Sequence, residues 1–378
     1  MKALLAAVQV AAAVVVTARL VKGRDRRPAL RPPATAPGGI TVVVPARDEE
    51  GRIGPCVAAA VADPLVREVI VVDDESADGT ARLAAALGAR VVRGRPLPQG
   101  WVGKQWALHQ GLSEATGDIV ITLDADTRPD PGLFAALAEA LDDCDLVSVA
   151  PRFVCDGPVE QALHAAFLAT LVYRYGPVGA WRTPPPYRVI ANGQCMAFRR
   201  KAMRVSGGFV RVRGNMTDDV ALARTLAGDG WEVRFLDGRG LLEVDMHSSV
   251  AEVWREWGRS LSLADVTDGP RLAGDIAVVW LTAALPVARL LTGRPTRLDL
   301  GLLCMRFLLL GAFRRGYTRP GLGLLLSPLL DPLAALRLTL GVLRPSRTWR
   351  GRTYASAGRP VSDDRSAVVV PLRRTAAR

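Results

Sequence analysis

The 378-residue chain predicts an α/β domain, built on a doubly wound and largely parallel sheet covered on both faces, set between apolar membrane segments. Three observations carry that reading. From Ile40 onward, short apolar runs alternate with helical stretches, the pattern of parallel strands joined by crossover helices. Two of those runs, "VVDD" and "ITLDAD", end in acids, and ligands bind such sheets at the carboxyl ends of strands. Finally, "ALLAAVQVAAAVVVTARLV" (Ala3–Val21) has about the 20-residue length that a bilayer-spanning helix needs.

Residues 1–22 read as an N-terminal transmembrane anchor. No small-residue cleavage site follows the apolar run; "KGRDRR" does, which favours an uncleaved anchor over a signal peptide. Lys22, Arg24, Arg26 and Arg27 outnumber the single Lys2 before it, so the following domain is expected in the cytoplasm of a multi-pass cell-membrane protein. Residues 23–39 are a basic, Pro-rich linker containing "RPALRPPATAPGG". The α/β domain then covers residues 40–265.

Within it, the strand "ITVVV" precedes a helix from about Glu50, and "EVIVVDD" a helix from about Asp78. The strand "ARVVRG", a helix from about Lys104 and the strand "DIVITLD" follow. Next comes a helix at Pro131–Leu141, with Asp130 as its cap and Pro131 in its first position. A mostly apolar helix at Val159–Tyr175 is too mixed for a span and is expected to be buried or to lie at the membrane surface. Helices are also expected at Thr217–Gly228 and Ala251–Ala264.

Residues 266–345 form membrane-associated helices, with apolar segments at Ile276–Thr292, Leu298–Phe313 and Gly321–Leu343. The second is short and contains Arg306, and the third contains Asp331, so two to three C-terminal membrane helices are expected. Residues 346–378 are a basic tail whose "RPSRTWRGR" prefers the cytoplasm, which favours an even number of crossings in this half.

The net charge of +12 does not point to nucleic acid. Residues 1–39 carry seven Lys/Arg against one acid, and residues 344–378 nine Arg against two, leaving the middle near neutral. Basic ends around a neutral middle suit a protein held against anionic lipid, and no zinc finger, RNP motif or aromatic-basic stripe is present. The five cysteines, Cys56, Cys144, Cys155, Cys195 and Cys304, show no CxxC spacing, which favours reduced thiols over a disulfide framework.

The stretch "GDIVITLDADTRPDPGLF" carries the chemistry. On extended backbone, residues i and i+2 point the same way, so Asp124 and Asp126 can face one cavity. Two carboxylates without His/Cys zinc-type neighbours suit a hard divalent cation, Mg2+ or Mn2+, completed by water and substrate phosphate. Arg47 and Lys104 are candidate cationic contacts to a diphosphate. Asp73 and Asp74 end the second strand.

In order and spacing, "VPARDEE", "VVDDESADGT", "GKQWAL", "LDADT", "NGQCMAFRR" and "TDDVALARTLAGDGW" resemble glycosyltransferase family 2, across roughly residues 40 to 265. "GWVGKQWALHQG", the single anchor and the apolar C-terminal third look like the membrane-bound branch that includes hopanoid-associated and diaponeurosporenoate (carotenoid) glycosyltransferases. The resemblance implies an A-type glycosyltransferase fold, Rossmann-like with a mostly parallel sheet. Pro45, Arg47, Glu49, Asp73 and Asp74 match positions that hold the nucleotide base and ribose, and Lys104 a nucleotide or phosphate contact. Asp124 and Asp126 match the motif that binds the metal and diphosphate, so Asp124 counts among the donor contacts too. Asp219 matches the catalytic base, and Asp218 replaces the glutamate usual before it. His109 stands where many relatives have asparagine.

Cleaving a sugar–phosphate bond develops negative charge on the departing diphosphate, which a cation at Asp124/Asp126 would stabilise. Asp219 would accept the acceptor proton as the nucleophile attacks from the opposite face, inverting the anomeric centre; an acid in the first turn of a helix also favours the helix dipole. His247, in "VDMHSS", is either a third metal ligand or a strand-end histidine bonded to backbone. His164 is expected to be a satisfied interface residue. Asn192, Gly193, Gln194, Asp218, Trp254, Trp257 and Arg259 are assigned to the sugar and acceptor region. Trp254 and Trp257 share a helix face, where they can also sit at headgroup level. The "EWGRS" stretch stands where processive polysaccharide synthases carry QxxRW, with Glu256 for Gln and Ser260 for Trp.

The expected function is transfer of a single sugar from a nucleotide-sugar, a UDP-hexose by resemblance, to an apolar carotenoid- or hopanoid-like lipid at the cytoplasmic membrane face. The alternatives are a processive polysaccharide synthase, disfavoured by the missing QxxRW, and an inactive membrane scaffold, disfavoured by intact Asp124, Asp126 and Asp219.

Overall fold

The computed structural model describes residues 2–345 apart from 246 and 248, together with 348, 349, 352 and 353, with the backbone alone at 259, 348, 349 and 353. The chain opens with helix α1 (Lys2–Val21). Alternation follows as β1 (Ile40–Ala46), α2 (Ile53–Ala62), β2 (Val66–Asp73), α3 (Thr80–Ala86), β3 (Arg90–Arg93), α4 (Gly103–Glu114) and β4 (Ile119–Leu123). Then come β5 (Thr127–Pro129), α5 (Leu133–Ala140), β6 (Leu146–Ala150), β7 (Arg152–Phe153), α6 (Pro158–Tyr175), β8 (Cys195–Arg199), α7 (Arg200–Val205), α8 (Asp218–Gly228), β9 (Val233–Asp237) and β10 (Leu242–Val244).

Seven strands form the main sheet in the order β3-β2-β1-β4-β8-β6-β9. All neighbours are parallel except β8, which runs antiparallel to both β4 and β6. Every residue of β1 is buried, as a strand covered on both faces must be. Ile40, Val42 and Val44 face one core, with Ile53 and Val57 of α2; Val43 faces the other, with Leu108 and Leu112 of α4. Register decides where the site lies. Ala46 pairs with Asp73, and Val43 with Thr122, so the carboxyl ends of β1, β2 and β4 stand side by side. Because β8 runs the other way, Cys195 pairs with Leu123 and the residues just before β8 arrive at that same edge.

A second sheet, β5-β10-β7, overturns one sequence expectation. The helix expected from Pro131 begins at Leu133, after a left-handed Gly132 (φ 89°), and Asp130 does not cap it. Pairing of Thr127–Pro129 with Leu242–Val244 keeps the backbone extended, and the Asp130 N–H donates to the Leu241 carbonyl, so the chain must turn before it can coil. The helix expected over Ala251–Ala264 is shorter too. It comprises α-helical Val250–Glu252, π-helical Val253–Trp257 and α-helical Gly258–Ser260, together α9, and the chain breaks away with Leu263 at φ 52°.

Among the described residues, three helices are long and apolar enough to cross a membrane: Lys2–Arg24, which contains α1, Gly269–Leu291 (α10) and Leu322–Leu343 (α12). Between the last two lies α11 (Arg297–Phe313), of 17 residues. Leu4, Val14, Leu291, Leu308, Leu322 and Leu343 are exposed on the outside of this bundle. Several of its charges are turned inward and paired, as charges in an apolar medium must be. Arg306 donates to Asp331 at 2.9 and 3.1 Å and to the Ser327 hydroxyl at 3.1 Å. The two residues that interrupt the apolar segments in sequence therefore neutralise each other. Gln9 of α1 donates to Asp299 at 2.7 Å, and Arg289 reaches the same carboxylate at 3.1 Å. Beyond α12, β11 (Thr348–Trp349) pairs with β12 (Arg352–Thr353).

The fit of α4 against the sheet gives a direct test. A methyl group on Gly111 would run into the Val43 side chain and come within 3.3 Å of Val72. Gly111→Ala should destabilise the protein by about 1–3 kcal/mol, measured as a lowered unfolding midpoint; unchanged stability would show that the interface is loose.

Candidate active site

The carboxyl edge of the sheet borders a cavity of about 650 Å3. Its polar wall is drawn from separate elements: Pro45 of β1, Glu49 after it, Lys104 of α4, Asp124 and Asp126 after β4, Asn192–Gln194 before β8, Asp218 and Asp219 in the first turn of α8, and His247. The structure thus gathers most of the residues that the sequence singled out. Arg47, Asp73 and Asp74 stand beside this cavity, at the adjoining ends of β1 and β2. Arg47 donates to the Asp74 carbonyl at 2.7 Å, and the Asp74 N–H donates to the Ala46 carbonyl at 2.8 Å.

The loops after β1 and β2 are tied to each other. Asp48 (φ 52°) and Glu75 (φ 58°) both take left-handed conformations that non-glycine residues rarely adopt. The Ala77 N–H donates to the Asp48 carboxylate at 2.7 Å, the Glu49 N–H to the Thr80 hydroxyl at 2.8 Å, and the Gly79 N–H to Glu50 at 2.9 Å. Side chains in "ARDEE" and "ESADGT" hold the strand ends in place, which explains their polar composition.

The main electrostatic feature is an excess of acids. The Lys104 ammonium lies 2.7 Å from Asp124. Burial would lower its pKa, yet Asp124, Asp218 and Asp219 hold it above the ordinary value. Burial pushes Asp126 up to about 7, with Asp124 and Glu49 adding repulsion. Asp218 is also raised to about 7 by burial, partly offset by Lys104 and reinforced by Asp219 and Asp124. Burial raises Asp219 as well. Its oxygens accept the N–H groups of Gly193 and Val220, each at 2.8 Å. Gly193 is needed there, because a Cβ would lie 3.1 Å from Asp219 Cβ and 3.3 Å from Lys104 Nζ.

These residues fit a hard divalent cation. Asp126 Oδ1 is buried without a hydrogen-bond partner, and so is His247 Nε2. Burial lowers His247 to about 4, which leaves a neutral imidazole. Among the described residues no group of three or more His, Cys, Asp or Glu side chains is arranged to hold a metal ion. A cation would take the Asp124–Asp126 pair and leave positions for water and phosphate, the habit of Mg2+ and Mn2+.

The lining also has an apolar part, Phe153, Leu168, Leu171 and Val172 with Trp257, Leu261 and Leu263, while Glu252, Arg255, Glu256 and Ser260 add polar groups beside Trp257. Sequence reasoning expected α6 to be buried or at the membrane surface and named none of its wall residues. Their signal was the apolar face of "AFLATLVYRY", which period alone cannot separate from core. Trp257 stacks on His164 at 4.3 Å, and both Trp257 and Trp254 pack on Phe167, at 5.9 and 6.1 Å. Trp254 stays off the cavity, and the side chain of Arg259 lies outside the described residues. His164 is buried as expected, with Nδ1 2.8 Å from the Tyr317 hydroxyl, but its Nε2 has no partner. His109 lies away from the cavity, stacked on Trp106 at 5.5 Å.

Residues 41–206 match the family described as Glycosyl transferase family 2. That segment resembles a glycosyltransferase family 2 domain. The 4,4'-diaponeurosporenoate glycosyltransferase of Staphylococcus haemolyticus (strain JCSC1435) is 38% identical over 91 residues, 24% of this chain and 24% of that protein. Its counterpart in Staphylococcus aureus (strain USA300) is 39% identical over 88 residues, 23% of this chain and 24% of that one. The chain thus matches about a quarter of the length of these curated relatives. A mannosyltransferase from Pyrobaculum calidifontis, solved with GDP-Man and Mn2+, is 20% identical, covers 90% of this chain and 99% of its own, and superposes with a TM-score of 0.53. That likeness establishes the A-type glycosyltransferase fold. The matched residues include both the sheet edge with Asp124 and Asp126 and helix α6, whereas Asp218, Asp219 and α9 lie beyond them.

The acid cluster sets a pH dependence. Asp126 and Asp218 titrate near 7 in the folded protein, against about 4 for an exposed carboxyl. The metal-free folded state therefore binds protons that the unfolded chain releases, and its stability falls as pH rises through 7. Thermal unfolding in EDTA should give a lower midpoint at pH 8 than at pH 6. Asp126→Asn or added Mn2+ should shrink that gap, and a gap unaltered by either would contradict the assignment.

Proposed function

We propose that this protein transfers a single sugar from a nucleotide-sugar, a UDP-hexose, to an apolar lipid acceptor of carotenoid or hopanoid type, at the cytoplasmic face of the cell membrane. One observation carries the reading: a single cavity is lined both by Asp124, Asp126, Lys104 and Asp219 and by the apolar side chains of α6, with Trp257, Leu261 and Leu263. The polar side suits a diphosphate-linked sugar, and the apolar side suits a lipid better than a growing sugar polymer. Membrane segments adjoin that side, since α6 packs Phe167 and Leu163 against Ala12 and Val16 of α1 and against Ala334 and Leu338 of α12.

Each residue then has a task. Asp124 and Asp126 would hold Mg2+ or Mn2+, with neutral His247 as an additional donor on the same cavity. A bound cation supplies charge neutralisation for the departing diphosphate. Lys104 contributes a second positive charge at the same place. Pro45, Arg47, Glu49, Asp73 and Asp74 form the nucleotide end, while Asn192–Gln194 and Asp218 border the sugar. Asp219 takes the proton of an acceptor hydroxyl while that oxygen attacks the anomeric carbon from the side opposite the diphosphate, so configuration inverts. A carboxylate acceptor is ionised at neutral pH and has no proton to give. For such an acceptor Asp219 matters chiefly through its hold on Gly193.

Asp124→Asn should lower transfer by roughly 100-fold or more, and so should chelation of divalent cations, with Mn2+ restoring only the chelated wild type. Asp219→Asn should cost roughly 100- to 10,000-fold with a hydroxyl acceptor and far less with a carboxylate. Full activity in both variants would remove the assignment. Mass spectrometry of lipid extracts from cells with and without the protein tests the acceptor. The expected result is one lipid class shifted by one hexose; a ladder of hexoses would point to a polymerase, and no shift would rule out the lipid.

A further inference from the structure

Asp74 ends the second strand's motif and is only 4% exposed. A carboxylate so enclosed needs a close counter-charge. Arg47 does not supply it at short range, because its Nη1 donates to the Asp74 carbonyl and stays 3.8 Å from the carboxylate. The close partner comes from 278 residues away. Arg352 Nη1 donates to both Asp74 oxygens, at 3.0 and 2.8 Å, and its Nη2 donates to Glu75. Arg352 belongs to the strand pair β11-β12 beyond the last apolar helix. It lies nine positions after Leu343, a reach of roughly 30 Å at full extension, so the end of α12 must lie on the same side as the sheet edge.

We propose that Arg352 is a donor-positioning residue, carried by the C-terminal strand pair onto Asp74 so that the tail completes the nucleotide end of the site. The inference rests on the donor reading above. A nucleotide base or ribose presents N–H and O–H donors to an ionised carboxylate, which can only accept. By gripping one side of the Asp74 carboxylate, the planar guanidinium fixes its rotation and keeps it charged, leaving the other side for the nucleotide. Glu75, held in its left-handed turn, bonds to the same guanidinium and locks the loop after β2 against the tail.

The test uses the full-length protein in detergent, titrated calorimetrically with UDP and, separately, with GDP, each with Mn2+. For whichever nucleotide the wild type binds, Arg352→Ala should raise the dissociation constant about 10-fold or more, measured at a temperature where the variant's unfolding curve shows it fully folded. Arg352→Lys keeps the charge without the fork and should recover only part of the affinity. Asp74→Asn should weaken binding comparably, and the double variant should be no weaker than Asp74→Asn alone. In turnover, Arg352→Ala should raise the donor KM and leave kcat nearly intact. Unchanged or tighter binding by Arg352→Ala would overturn the proposal, tighter binding marking the tail as a plug. Losses that add in full in the double variant would overturn it as well. If the wild type binds neither nucleotide, the donor reading itself fails, a different result from a wild type that binds while Arg352 proves indifferent.

Discussion

Crowding of negative charge where little water reaches is the constraint on which this molecule depends. Glu49, Asp124, Asp126, Asp218 and Asp219 border one cavity, with the Lys104 ammonium against Asp124, and Glu252, Arg255 and Glu256 line the same cavity. Left alone, such carboxylates repel and take up protons, as the raised values of Asp126 and Asp218 show. The arrangement costs stability and persists only because the scaffold over-determines it. Parallel strands fix Asp124 and Asp126, the reversed β8 brings in Asn192–Gln194, and the start of α8 presents Asp218 and Asp219. A cluster so expensive to hold empty is built to receive positive charge.

The same cavity explains the other half of the chain. α6 serves both sides: Leu168, Leu171 and Val172 line the cavity, while Leu163, Ala166 and Phe167 pack into the bundle with α1 and α12. Pairing of charges inside that bundle keeps its outer face free for an apolar medium. Arg306–Asp331 and the Gln9–Arg289–Asp299 group put ionised side chains where they satisfy one another, while leucines cover the exterior. The proposed lipid acceptor would need such a boundary, because its reactive end must meet the acids while the rest of it stays out of water.

Much of this was legible in the sequence because local chemistry imposes it. The run "ITVVV" can only be a strand covered on both faces, and the acids after "IVITL" follow from its end at the sheet edge. Arg306 and Asp331 could be seen as interruptions but not as partners, since nothing local says that two helices will bring them together. Asp130-Pro131 looked like a helix start, and local preference lost to the pairing of β5 with β10, a contact made 115 residues away in the chain. The π-helical turn at Val253–Trp257 and the grip of Arg352 on Asp74 were invisible for the same reason. Each exists through contacts distant in sequence, and an arginine in a basic tail carries no mark of its destination.

The geometry also bears on why acid–base and metal-type residues are so difficult to separate here. Asp219 accepts the Gly193 N–H, and one residue on, the Gln194 carbonyl accepts the Asp124 N–H at 2.9 Å. Three consecutive links therefore join the proposed base to the first acid of the DxD pair without a side-chain contact between them. Asn192 stiffens the bridge, its Oδ1 accepting the Gln194 N–H at 3.0 Å and its Nδ2 donating to Gln194 Oε1 at 2.8 Å. A glycine in the middle lets Lys104 approach both acids, with its ammonium 2.7 Å from Asp124 and 3.3 Å from where a Gly193 Cβ would stand. The proposed roles of leaving-group stabilisation and proton acceptance thus share one short loop, so a shift that moved Asp219 would also move Asp124. In a reaction where bond breaking and bond making occur on opposite faces of one carbon, a rigid link between the two groups preserves their separation.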